Sequence, residues 1–100
     1  MSECPDSLTF AVKHTTATPE RIDGFRALVA SIRALYTCLI LVNIDGDFVY
    51  SSEWMTANNV REIGPRNVHL AEGRNLLVQR ADTEHVLVMD DDVAFTNATD

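Results

Sequence analysis

The stretch Cys38 to Ile44, CLILVNI, constrains this chain more than any other, because Asn43 is its single polar side chain. A strand that is apolar on both faces must be covered on both, which is the situation of a parallel sheet between helix layers. The rest of the chain alternates to match. Leu8 to Val12 is a short apolar run that reads as a buried strand, and Lys13, His14, Thr15 and Thr16 break it. Thr18 and Pro19 supply an N-cap and a first helical position, and Glu20 sets a carboxylate at the positive end of the helix dipole. Ile22, Phe25, Leu28, Val29, Ile32, Leu35 and Tyr36 then recur at helical spacing. Gly24 weakens that helix by about 1 kcal/mol without stopping it.

Asp45, Gly46 and Asp47 end the second strand. The pattern is weakest from Phe48 to Asn67: Phe48 to Tyr50 reads as a short strand, and Trp54 to Ile63 as one or two helical turns before Gly64 and Pro65. Val68 to Leu70 is the predicted third strand, Gly73 to Ala81 a helix with Leu76, Leu77 and Ala81 inward, and Val86 to Met89 a fourth strand. The order β-α-β-(α)-β-α-β predicts an open parallel α/β sheet with flanking helices, Rossmann-like, in a single domain over residues 1–100. In such sheets ligands bind outside the carboxyl ends of the strands. The chain runs only a loop's length past Met89, so the sheet is expected to be truncated after its fourth strand.

Eight Lys and Arg against fifteen Asp and Glu give a net charge of −7, which repels nucleic acid and anionic lipid surfaces. No run approaches the roughly 20 apolar residues of a membrane span, and MSECPDSLTF lacks the pattern of a signal peptide. Cys4 and Cys38 have no CxxC partners and no dense cysteine framework around them; Cys38 is expected to be a buried thiol, with a structural disulfide disfavoured.

The residues that point to chemistry sit at predicted strand ends. Val86-Leu87-Val88-Met89 runs directly into Asp90-Asp91-Asp92, and three adjacent carboxylates at the mouth of a buried strand require compensation. In an extended segment Asp90 and Asp92 project to one side and Asp91 to the other, so the first and third can meet one hard divalent cation, Mg²⁺ or Mn²⁺. The bland alternative is a solvated acidic loop. Asp45 and Asp47 emerge at the same edge, although Asp-Gly is also an ordinary turn pair. Glu72-Gly73-Arg74-Asn75 opens the helix before the last strand, where free N–H groups and the Arg74 guanidinium suit phosphate oxygens. Lys13 and His14 reach this edge too, whereas His69 and His85 read as strand-end residues. No GxSxG, Walker A or GxGxxG sequence is present.

Taken in order, Val12-Lys13-His14-Thr15, Gly24 to Tyr36 with its SIRALY run, Gly73-Arg74-Asn75-Leu76 and VLVMDDDVAFT resemble the nucleotide-sugar glycosyltransferases of GT-A fold. Within that family-2-like group they are most similar to the β1,4-N-acetylgalactosaminyltransferases of ganglioside type. The resemblance implies a partial GT-A domain, the nucleotide-sugar-binding half. It implies a donor such as a UDP-sugar held by Lys13, Asp45, Arg74 and Asp90, with Asp90 and Asp92 as a DxD pair on Mn²⁺ or Mg²⁺. Transfer would be of a hexosyl or N-acetylhexosaminyl group to a carbohydrate, glycolipid or glycoprotein hydroxyl. Ile44 stands where the family commonly has a further aspartate before Asp45, which bears on uracil recognition.

The resemblance also implies a general base in a later, acceptor-binding region beyond Asp100, so that these 100 residues alone would transfer weakly or not at all. Relatives of eukaryotic type lie in the Golgi lumen with an anchor outside the catalytic domain; the Asn97-Ala98-Thr99 sequon bears on that only in a secretory compartment. Two other classes fit the same acidic strand end: a non-catalytic metal- or nucleotide-binding fragment, and an aspartyl-phosphate phosphatase with Asp90 as nucleophile.

Overall fold

In the computed structural model, Cys4 and residues 8–91 are described. Seven elements follow one another: β1 (Leu8–Thr15), α1 (Pro19–Leu35), β2 (Ile40–Asp45), α2 (Ser52–Ala57), β3 (Val60–Glu62), α3 (Leu70–Arg80) and β4 (His85–Asp90). The four strands form one sheet in the order β3-β2-β1-β4, and every pairing is parallel. This is the expected α/β architecture, a parallel sheet flanked by helices, compatible with a Rossmann-like half-domain. Among the described residues no helix is long and apolar enough to cross a membrane.

Alternation along the strands sorts side chains onto two helix-covered faces. Phe10 and Val12 of β1 and Ile40, Val42 and Ile44 of β2 pack with Phe25, Leu28, Val29 and Ile32 of α1, and Trp54 and Met55 of α2 lie partly buried against the same cluster. The opposite face is smaller: Ala11 and Leu41 meet Ile63 and Leu77, the latter from α3. The predicted capping of α1 is observed, with the Thr18 side chain accepting from the Arg21 N–H and Pro19 in the first turn.

Several boundaries differ from expectation for local physical reasons. β1 continues three residues past Val12, because Lys13, His14 and Thr15 find partners in the sheet: Lys13 pairs in register with Asn43 and Asp90, and Thr15 with Asp45. The predicted third strand over Val68–Leu70 is absent. Leu70 instead opens α3, and the third strand is Val60–Glu62. Asn59, at φ 54°, turns the chain out of α2 directly into β3, so the predicted helical run from Trp54 to Ile63 is helix in its first part and strand in its second. Phe48 to Tyr50 is a loop rather than a strand. Arg66 ties that loop down, donating to Gly46 O and Phe48 O at 3.0 and 2.8 Å while forking onto Glu62.

Cys4 and Cys38 form a disulfide, so the expected buried thiol is a cross-link between the N-terminal segment and the entrance to β2. The carbonyl of Cys38 also accepts from Arg33, whose guanidinium reaches Asn58 O and Tyr36 O as well; this one side chain gathers the end of α1, the approach to β2 and the end of α2.

Candidate ligand-binding site

The parallel register places the ends of β1, β2 and β4 side by side, and the two-residue alternation then divides their polar side chains between the two faces. Lys13, Asn43, Asp45 and Asp90 occupy the α3 face; His14 and Asp91 occupy the α1 face. A cleft of about 300 Å³ opens at this carboxyl edge, lined by Lys13, His14, Thr15, Arg21, Asp45, Leu70, Asp90 and Asp91. Asp45 also lines a neighbouring hollow of about 450 Å³ with Asn67, Val68, His69 and Glu72.

On the α3 face the charges are paired. Lys13 Nζ lies 2.7 Å from Asp45 Oδ1, with the lysine side chain 6% exposed and the aspartate 35%. Neither atom has a further hydrogen-bond partner among the described residues. Arg74 donates to Asp90 Oδ1 at 2.9 Å in an exposed contact, and the Arg74 Nε–H has no partner among the described residues. Asn43 donates to the carbonyls of Ile63 and Pro65, and its Oδ1, buried beside Lys13, has no partner among the described residues.

Gly73 makes this packing feasible. A Cβ there would come within 2.5 and 2.8 Å of Lys13 Cε and Cδ, and within 2.7 Å of Asn43 Oδ1. The glycine therefore serves as a notch for the lysine stem. α3 begins at Leu70, and Gly73 N donates to His69 O at 2.8 Å, so the expected free N–H groups at Gly73 to Asn75 are spent within the helix. Arg74 consequently lies past the first turn, away from the unfavourable positive end of the dipole. His69 is the N-cap residue of α3 rather than a strand-end residue, whereas His85 begins β4 and so stands at a strand end as expected.

On the α1 face, Asp91 is 5% exposed and fully engaged: Oδ2 accepts from His14 Nδ1 at 2.6 Å and from Thr15 N at 3.0 Å, and Oδ1 from Arg21 at 2.9 Å. His14 is stacked on Phe25 with ring centroids 4.4 Å apart, and its Nε2 lies 2.8 Å from the Tyr50 hydroxyl. Burial pushes the His14 pKa below 6.5, against the opposing pull of Asp91. The neutral ring donates from Nδ1 to the carboxylate, which can only accept, and its Nε2 accepts from Tyr50. Burial also pushes the Tyr50 hydroxyl up to about 12, so it keeps the proton it donates.

Of the residues singled out in the sequence, Lys13, Asp45 and Asp90 line one cleft and Arg74 is held at its rim through Asp90. Asp92 lies outside the described residues. Asp91, Arg21 and Tyr50 had no assigned part. The register Lys13 to Asp90 carries the missing signal, since it sets His14 beside Asp91. Among the described residues no group of three or more His, Cys, Asp or Glu side chains is gathered as a cation cage. Comparison with protein-family models, with curated proteins and with solved structures found no match to this chain.

Two outcomes follow from this geometry. Because the folded-state His14 pKa is depressed, the unfolded chain binds the extra proton first as pH falls; stability is complete above about pH 6.5 and declines below it. Urea midpoints between pH 7.5 and 5.5 should fall in the parent chain and flatten in His14→Gln; an equal slope in both would assign the effect elsewhere. Gly73→Ala should cost about 1–3 kcal/mol through overpacking against Lys13 and Asn43. Urea denaturation measures it, and a gain in stability, as expected for alanine in an unobstructed helix, would refute the notch.

Proposed function

We propose that this chain is the nucleotide-sugar-binding unit of a GT-A-type glycosyltransferase, taking a UDP-sugar for transfer of a hexosyl or N-acetylhexosaminyl group to an acceptor hydroxyl. The observation that supports it is the meeting of Lys13, Asp45 and Asp90 in one cleft at the carboxyl edge of a parallel sheet, with Arg74 on its rim. That edge is where α/β sheets bind ligands. Cations interleaved with carboxylates match a ligand that is itself divided into an anionic diphosphate and a hydroxyl-rich nucleoside.

In this reading Asp45 accepts hydrogen bonds from the nucleoside, while Lys13 and Arg74 face the diphosphate. When the bond between the sugar anomeric carbon and the diphosphate oxygen breaks, its electron pair leaves with the diphosphate; the acceptor oxygen bonds to that carbon and gives its proton to a base. Lys13 and Arg74 stabilise the negative charge where it accumulates. Asp91 is unsuited to be that base, because both of its oxygens are committed to His14, Thr15 and Arg21.

A divalent ion, when bound, would add further charge stabilisation on the diphosphate. Asp90 fits a site of that kind: it is exposed, and only its Oδ1 is used by Arg74. One or two carboxylates, water and substrate phosphate make up many Mg²⁺ sites, in contrast to an all-protein cage. Asp92 is the proposed second carboxylate.

Isothermal titration with UDP should show binding that requires Mn²⁺ or Mg²⁺, disappears in Asp92→Ala and weakens at least tenfold in Arg74→Ala. Metal-independent absence of UDP binding in the folded parent chain would overturn the reading, and turnover of an aryl phosphate lost in Asp90→Asn would point to the phosphatase class instead.

A further inference from the structure

The Lys13 ammonium carries three N–H donors and is 6% exposed, yet among the described residues its one partner is Asp45 Oδ1 at 2.7 Å, with no further acceptor in reach. Buried donors left over from that pair are costly, and Lys13 lines the cleft, so a second acceptor belongs within its reach. The two members of the pair differ in freedom. The lysine stem is fixed in the Gly73 notch beside Asn43, whereas the Asp45 side chain is 35% exposed and borders both the first cleft and the neighbouring hollow. An anion entering the first cleft therefore meets an ammonium that stays in place and a carboxylate that can turn away.

We propose that Lys13 and Asp45 form an exchangeable lock, in which Asp45 occupies the ammonium in the free protein and a diphosphate displaces it toward the hollow lined by Asn67, His69 and Glu72. This rests on the donor-site reading and extends it: Asp45 is an internal competitor for the anion as well as the group that meets the nucleoside. Filling the first cleft presents a freed carboxylate to the second. Diphosphate and nucleoside then assist one another's binding, each bringing Asp45 or Lys13 into the state that the other requires.

The two functions of Asp45 pull a substitution in opposite directions, and that separates them. With EDTA present, calorimetric titration of inorganic pyrophosphate into Asp45→Asn should show binding about tenfold tighter than in the parent chain, as expected if the lock holds the ammonium about nine-tenths of the time. The gain should vanish in Lys13→Met/Asp45→Asn. Uridine binding should weaken in the same Asp45→Asn protein. Thermal melts establish that the variants are folded, and Asp45→Ser gives the same test where the asparagine variant is not. Pyrophosphate affinity that is unchanged or weaker without the Asp45 carboxylate would overturn the lock, as would a gain that survives loss of Lys13. The donor-site reading fails by a different result, the absence of metal-dependent UDP binding in the parent chain.

Discussion

The parallel register of β1 against β2 and β4 is the constraint on which the rest depends. It sets Lys13 beside both Asn43 and Asp90, and Thr15 beside Asp45, so polar residues that interrupt an apolar pattern in the sequence become neighbours at one edge of the sheet. Alternation then gives adjacent aspartates opposite surroundings. Asp90 turns to the α3 face and an exposed arginine; Asp91 turns to the α1 face and a buried histidine. One strand end thus carries an exposed carboxylate and another that belongs to the interior. Asp90 and Asp91 would repel one another side by side, and their placement on opposite faces, with Arg74 beside the first and Arg21 and His14 beside the second, removes much of that repulsion.

The inner network fixes the outer one. His14 stacked on Phe25, bonded to Tyr50 and to Asp91, holds the end of β4 against the start of α1, and Arg21 closes it from solvent. Each donor in that chain has an acceptor, which is the condition under which a buried polar network rigidifies its surroundings. On the α3 face the condition is not met among the described residues: apart from the Lys13–Asp45 ion pair, Lys13 Nζ, Asp45 Oδ1, Asn43 Oδ1 and Arg74 Nε have no hydrogen-bond partner there. The two faces thus differ in how completely their polar groups are satisfied, which is the contrast the proposed ligand site rests on.

Much of this was legible in the sequence. The continuous apolar character of Cys38 to Ile44 gave away a buried parallel strand, and Thr18-Pro19 gave the start of α1, because burial and capping act locally. Val86 to Met89 is a parallel strand as expected but not a buried one, since β4 lies at the sheet edge with Leu87 and Val88 exposed. β3 was hidden: it has three residues, with Arg61 exposed, and follows a left-handed Asn59 that no periodicity announces. The end of β1 was hidden because Lys13 and His14 look like strand breakers until their partners, Asp45 and Asp91, arrive from 32 and 77 residues away. The same holds for the disulfide, since two isolated cysteines carry no pairing signal and Cys4 reaches Cys38 only once β1 and β2 are side by side.

The division of labour between Asp90 and Asp91 is the claim on which the site stands, and a side-by-side comparison of Asp90→Asn and Asp91→Asn by urea denaturation tests it most directly. Asp90→Asn should change stability by less than about 1 kcal/mol, as for an exposed ion pair. Asp91→Asn should cost about 1.5–3 kcal/mol, as for loss of buried hydrogen bonds to a charged group. Equal costs, or a larger cost at Asp90, would contradict the sorting of the two carboxylates to ligand and interior.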